Sequence, residues 1–449
     1  MGTREENPDD WIADAYTMKI RKFFSQFLGP GLISGASDDD PSGIGTYAQG
    51  GAQFGLGLSW LAVFQFPLMT AIQEMCGRIG MTTGCGIVGV LRRKYSRKGV
   101  LPIVGLLLIS NTIIIGADLG TMGSSLHILV PNIPVVFVTI IFSGFVLSTE
   151  IFLSYARYAR MLKYTTLALF AYVITAFVVE TNWNQVVLAT LVPHFEMSEK
   201  FLLMFVAFFG ATISPYAFFW QASEEAEEDL IKKKITAIGS GKPRITKRDI
   251  RMMRADSILG MVFSQVIMWF IIIVMANTMH SNNILEIQTA DQAARSLEPL
   301  VHNFANSGKI AEALFALGII GTGLLAIPVL AGSSAYAISE GLGWKQGLNK
   351  KLGQAKGFYL IIIISTLVGL WINILNLDPV RMLVYASAIS GIVTIPLLIV
   401  ILKISNDKAI LGNRTNGMLS NILGCTTVVI MASAAAVMFI LMFLQKAAI

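Results

Sequence analysis

Three consecutive aspartates, Asp38, Asp39 and Asp40, followed by Pro41-Ser42-Gly43, lie in an otherwise apolar stretch from Phe23 to Ala71. Carboxylates grouped this tightly bind or guide cations. An aspartate at mid-bilayer costs roughly 2.5–3.5 kcal/mol on insertion scales, so three would nearly cancel the gain from an ordinary apolar span. Such a cost is tolerable where the helix breaks and the carboxylates face water or a cation. Pro41 removes a backbone donor, and Ser42 and Gly43 loosen the next turn. The segment reads as an unwound membrane helix built around a positive ligand.

The elements that would position it are apolar spans. The chain has 449 residues, 54% apolar and 14% charged, whereas a soluble domain carries about 25% charged residues. Hydropathy divides it into eleven spans, at roughly 27–53, 57–79, 99–123, 132–153, 162–182, 200–223, 256–280, 308–337, 357–375, 380–402 and 419–445. With the N-terminus inside, the outer side holds only Lys200, Arg295, Lys309, Arg381 and Lys446 of the 34 Lys and Arg. That split follows the positive-inside rule and predicts a cytosolic N-terminus and an external C-terminus. It also accounts for the net charge of +6, so no nucleic-acid partner is needed. Met1 to Asp14 is polar with no secretory pattern, and residues 1–26 read as a cytosolic tail. Cys76, Cys85 and Cys425 have no metal-type spacing and read as apolar filler.

A broken first span invites a search for its counterpart. The sixth span carries Gly210-Ala211-Thr212-Ile213-Ser214-Pro215-Tyr216, again a mid-span proline in a small, polar setting, and Gly210-Ala211-Thr212 echoes Gly35-Ala36-Ser37. Five spans separate the two breaks, so the second runs in the opposite sense. Paired interruptions in two halves point to an inverted-repeat transporter with its site at the midplane.

These residues resemble the NRAMP family of divalent-metal transporters over nearly the whole chain. Gly29-Pro30-Gly31 leads to Asp40-Pro41-Ser42-Gly43 where typical members have Gly-Pro-Gly and Asp-Pro-Gly-Asn, and Ser214-Pro215-Tyr216 stands for Met-Pro-His. With Phe218-Phe219-Trp220-Gln221-Ala222-Ser223, the pattern is most similar to the NRAMP-related magnesium transporter branch. The resemblance implies an all-α fold of eleven membrane helices of the amino-acid/sodium symporter type. Spans 1–5 (27–182) and 6–10 (200–402) would be inverted repeats, helices 1 and 6 broken, and 419–445 an added span. It implies Asp40 as main anionic metal ligand and the carbonyls of Ser37 and Ala211 as oxygen donors. The family's Asn ligand becomes Gly43 and its Met ligand Ser214. A direct or water-mediated role falls to Asp39, with Asp38 a weaker candidate.

Losing a thioether leaves an oxygen-only site, which suits Mg²⁺, with Mn²⁺ also accommodated. Family histidines in span six are Tyr216 and Gln221 here, and the four histidines (His127, His194, His280, His302) fall in or beside outer loops. In span three Asp118 matches a family aspartate, but its acidic partner is Thr121. The expectation is uncoupled uptake of Mg²⁺, or Mn²⁺, by alternating access in a bacterial-type inner membrane. An inside-negative potential of about 100 mV alone favours a dication by about 4.6 kcal/mol. The alternatives are a proton-coupled Mn²⁺/Fe²⁺ importer, or a sodium-coupled organic-solute symporter, whose anionic substrate three aspartates would repel. No enzyme motif, cofactor or obligate protein partner is expected. Glu74 and Arg78 read as an ion pair, Gly321-Thr322-Gly323 as close helix packing, and Glu224 to Asp229 as a solvated helix end.

Overall fold

The computed structural model describes residues 29–152, 166–239, 243–302, 306–373 and 378–447, and among these the regular structure is helical, with no strand. The expected tail 1–26 and the whole basic segment Arg157–Lys163 lie outside the described residues.

Each expected span coincides with a helix or helix pair. The first is α1 (Pro30–Asp38) and α2 (Pro41–Phe54), followed by α3 (Leu61–Thr83) and a short helix α4 (Ile87–Lys94). Next come α5 (Arg97–Leu129), α6 (Val135–Phe152), α7 (Phe170–Val178) and a loop helix α8 (Trp183–Leu191). The sixth span is α9 (Glu199–Thr212) and α10 (Pro215–Ile231), the seventh α11 (Lys247–Thr278). Two loop helices, α12 (Ala290–Arg295) and α13 (Glu298–Val301), precede α14 (Ser307–Leu342) and α15 (Lys356–Ile372). The chain finishes with α16 (Pro379–Ser405), the short α17 (Lys408–Leu411) and α18 (Met418–Ala447).

Length and apolarity alone identify seven membrane-crossing segments among the described residues, or nine if bent pairs are counted. The shortfall from eleven has local causes. The first span is interrupted at its aspartates, α3 carries Glu74 and Arg78, and the start of the fifth lies outside the described residues. Helix α15 has 17 residues, about 25 Å at 1.5 Å per residue. Between α2 and α3 the axis turns by 109°, and Gly55 provides the left-handed φ of +57° there, which residues with a Cβ rarely adopt.

Backbone-to-backbone contacts hold the broken helices in place. A Cβ on Gly31 would lie 2.7 Å from the Ser257 backbone, and one on Gly35 2.3 Å from that of Gly260. Helix α1 therefore lies flush on α11 in the small-residue manner of membrane helices. On the other side, Gly210 of α9 meets α16, where its Cβ would be 1.9 Å from the Ser387 carbonyl. Gly323 of α14 closes on Met122 and Pro41, the packing expected for that glycine pair.

At the end of the bundle where α11 begins, α4 ties several loops together. Glu340 at the end of α14 accepts from the amides of Gly86 (2.7 Å) and Gly89 (2.8 Å) at the start of α4. Arg93 donates to the Gly239 carbonyl at 2.6 Å, and Lys94 pairs with Asp407. The Asp407 carboxyl is held below its usual range, chiefly by the hydrogen bond from Lys94. At the opposite end Gln49 of α2 clamps the loop before α12, donating to the Leu285 carbonyl (3.0 Å) and accepting from the Ile287 amide (2.9 Å).

Candidate metal site at the helix breaks

Proline decides which carbonyls are left over. In a continuous helix the Ser37 carbonyl would accept from residue 41 and the Ala211 carbonyl from residue 215; both are prolines, with no N–H to give. The two carbonyls that the sequence assigns to an ion are therefore those whose helical partners are deleted. Hydroxyls fill the gap. Tyr216 donates to the Ser37 carbonyl at 2.8 Å, and Ser214 to the carbonyls of Ala211 (2.6 Å) and Gly210 (3.1 Å). Helix α16 satisfies the surrounding carbonyls, Ser390 reaching Gly210 (3.1 Å), Thr394 reaching Ile213 (3.2 Å) and Ser387 reaching Ser42 (3.4 Å).

Asp40 is the N-cap of α2. Its Oδ1 accepts from the Ser42 hydroxyl and the Gly43 amide, both at 2.7 Å, the usual way to satisfy first-turn amides. Oδ2 is left facing the Tyr216 hydroxyl at 3.4 Å. Gly43 thus serves the site through its N–H, and a Cβ there would lie 2.9 Å from the Asp38 carbonyl. The three aspartates are 0–2% exposed, so their carboxylates are buried.

Asp39 turns toward α11, while Asp38 lies between α11 and the second break, where it also meets the Ser214 hydroxyl. Ser264 on α11 donates to Asp38 Oδ2 (3.2 Å) and Asp39 Oδ1 (3.3 Å), and Asp39 Oδ2 has no hydrogen-bond partner among the described residues. Neighbouring side chains at a helix break point to different walls. The structure therefore does not gather the expected Asp39 and Asp40 oxygens on one point. Among the described residues no three His, Cys, Asp or Glu side chains are placed to share a metal ion. Asp118 of α5 lies beside Asp40, with the Ser42 amide turned to its carboxylate and no side-chain donor bonded to it among the described residues. Among the described residues no lysine or arginine forms an ion pair with any of these four carboxylates, and the groups acting most strongly on them are other carboxylates, hydroxyls and amides. A buried carboxylate without counter-charge calls for a proton or a cation.

No histidine reaches this region. His280 bonds the Ala52 carbonyl, His127 the Ile133 carbonyl and His302 the Pro299 carbonyl, while His194 packs on Phe201. Thr121 donates to Ala117 within its own helix, and Gln221 to Ser257 at 2.8 Å.

The acidic run after the sixth break departs from expectation. Glu225, Glu227 and Asp229 are buried; the 343–350 loop and Tyr336 fold over Glu224 and Glu227, and Lys234 pairs with Asp229 at 3.3 Å. Glu224 accepts from Tyr336 (2.9 Å) and Glu227 from Asn349 (2.9 Å). The Glu74–Arg78 pair forms as expected at 3.0 Å and is extended by Arg254 to Glu74 at 2.9 Å.

Three site residues escape sequence reasoning. Tyr216 stands only where a family histidine would be, and nothing marks its bond to Ser37. Ser264 has no local signal, and neither has Asp256, whose carboxylate accepts from the amides of Gly29 (3.1 Å), Gly31 (2.7 Å) and Leu32 (3.1 Å) at the start of α1. Ser42, two residues after Asp40, could have been read as part of a cap.

The family model described as Nramp, natural resistance-associated macrophage protein-like, matches residues 31–441. The divalent metal cation transporter MntH of Clostridium acetobutylicum is 25% identical over 402 residues, 89% of this chain and 87% of that protein. MntH of Klebsiella pneumoniae is 23% identical over 437 residues, 94% and 95% of the two chains. Among solved structures, the Eremococcus coleocola manganese transporter bound to an aromatic bis-isothiourea compound superposes with a TM-score of 0.69 at 17% identity, covering 96% of this chain and 87% of that one. Mhp1, a nucleobase-cation-symport-1 family transporter, does so at 0.57 and 12% identity, covering 92% of each. These likenesses show a shared fold.

Proposed function

The chain belongs to the Nramp family, and from that membership we propose that it carries a divalent metal cation across a membrane by alternating access. The ion binds where the two broken helices meet. Asp40 Oδ2 supplies the charge, since Oδ1 is committed to the cap of α2, and the carbonyls of Ser37 and Ala211 and the Ser214 oxygen complete a donor set without sulfur. Asp39 acts through water. The observation that carries this reading is that Pro41 and Pro215 strip the helical partners from the Ser37 and Ala211 carbonyls, placing two strong acceptors beside a buried carboxylate.

Oxygen donors favour hard dications that keep part of their water, so Mg²⁺ is the first substrate of this reading. Mn²⁺ is the second, favoured by the relatives' names and by its own tolerance of oxygen ligands. Transport runs down the electrochemical gradient without a proton. Thr121 and Gln221 are spent on local hydrogen bonds, and no histidine stands near the breaks. Residues 27–182 and 200–402 form the two inverted repeats, and the end bearing α4 faces the cytosol of a bacterial-type inner membrane. In proteoliposomes, Asp40→Ala should abolish Mg²⁺ and Mn²⁺ uptake while the protein stays monodisperse. Unchanged uptake would overturn the ligand assignment.

A further inference from the structure

The two hydroxyls on the sixth-span break sit on the same acceptors that an ion would take. Tyr216, 1% exposed, reaches across from α10 to the Ser37 carbonyl at 2.8 Å and to Asp40 Oδ2 at 3.4 Å. Ser214 reaches back to the Ala211 carbonyl at 2.6 Å. Each carbonyl is one that proline has deprived of its helical donor, so each would be buried and unsatisfied without its hydroxyl. Leaving such an acceptor unpaired costs its full desolvation penalty. A hydroxyl is also a rotor, donating in one orientation and presenting lone pairs in another.

We propose that Tyr216 and Ser214 are positioning residues that take the ion's place on the Ser37 and Ala211 carbonyls and on Asp40. They satisfy the site when the carrier reorients without cargo and turn their O–H bonds away when a dication arrives. The hydroxyl pair does the work that a coupling proton or second cation does in a carrier that returns loaded. One consequence is a competition: the hydrogen bonds weaken ion binding and make the cargo-free return possible. Removing the Tyr216 hydroxyl then tightens binding while slowing net transport. A ligand or a purely structural residue would do neither together. This inference rests on the metal-site reading above.

The test uses the full-length chain, purified and reconstituted, with Mn²⁺ as the probe and Mg²⁺ as competitor. Calorimetric titration gives Kd, and radiolabelled Mn²⁺ separates net uptake into empty vesicles from exchange into vesicles preloaded with Mn²⁺. Tyr216→Phe is expected to bind Mn²⁺ about five-fold tighter, the equivalent of one hydrogen bond of about 1 kcal/mol. It should lose net uptake at least five-fold more than exchange. A weaker or unchanged Kd, or equal loss of both fluxes, in a monodisperse variant overturns the inference. Ser214→Ala removes one oxygen and no ring; because that oxygen is also a donor to the ion, its Kd does not bear on the question, but its net uptake must fall at least five-fold more than its exchange, and that flux ratio decides the matter should Tyr216→Phe not fold. Asp40→Ala keeps the two readings apart. If it binds Mn²⁺ like the parent chain, the metal-site reading itself falls; if it alone loses binding and the hydroxyl variants show no split, only this inference falls.

Discussion

Removing the Asp256 carboxylate should release α1 from α11. That carboxylate accepts three first-turn amides, from Gly29, Gly31 and Leu32, at 3.1, 2.7 and 3.1 Å. A capping side chain contributes about 0.5–2 kcal/mol, and a negative charge at a partly buried helix N-terminus adds about 0.3–2 kcal/mol. Together they give roughly 2–3 kcal/mol for the docked position, a shift of about 30- to 150-fold in the docked-to-lifted equilibrium at about 1.4 kcal/mol per decade. Ser34 on α1 is fully buried, so a Ser34→Cys reporter reads the lifted population by its thiol-labelling rate. Cys76 and Cys85 are buried, which leaves Cys425 to be replaced by serine for a quiet background. Labelling in Asp256→Ala should rise by one to two decades, and in Asp256→Asn, which keeps an acceptor, by less. Thermal unfolding in detergent checks that the fold survives. An unchanged labelling rate in a well-folded Asp256→Ala variant would show that backbone contact alone seats α1.

Ser214→Met restores a thioether at the second break and should raise Cd²⁺ uptake relative to Mg²⁺ several-fold in competition assays; an unaltered ratio would remove the softness explanation of selectivity. Uncoupled transport predicts that a lumenal pH dye stays flat while Mg²⁺ or Mn²⁺ enters, and acidification tracking metal entry would contradict it. Gln49→Ala should free the loop before α12, which it holds through Leu285 and Ile287, and so speed hydrogen exchange at the Ile287 amide at least ten-fold. Protection equal to the parent chain would mean that apolar packing of Ala290, Ala293 and Leu297 suffices.

How much of this was legible in the chain depends on the range of the cause. Both breaks were, because proline acts on the residue four positions before it, and Pro41 and Pro215 name Ser37 and Ala211 directly. The burial of Glu227 was not, because a run of carboxylates after a span looks solvated until Tyr336 and Asn349, more than 100 residues away, are seen closing over Glu224 and Glu227. The same holds for Asp256, which meets Gly31 across a sequence separation of 225 residues. Adjacency in the chain does not show that Asp39 and Asp40 face different partners, Ser264 on α11 and the cap of α2, because successive side chains diverge at an unwound turn. Span number was legible by hydropathy but shows unevenly in helix length, since α15 is short and the first span is split.

The grip of α4 on its neighbours has a mechanical meaning. Eight residues are fastened by Glu340 to the end of α14, by Arg93 to the chain after α10, and by Lys94 to the turn after α16. Those three connections belong to parts of the bundle far apart in the chain, yet one small strut spans them like the hub of a wheel. A shift of any one rim segment therefore pulls on the other two.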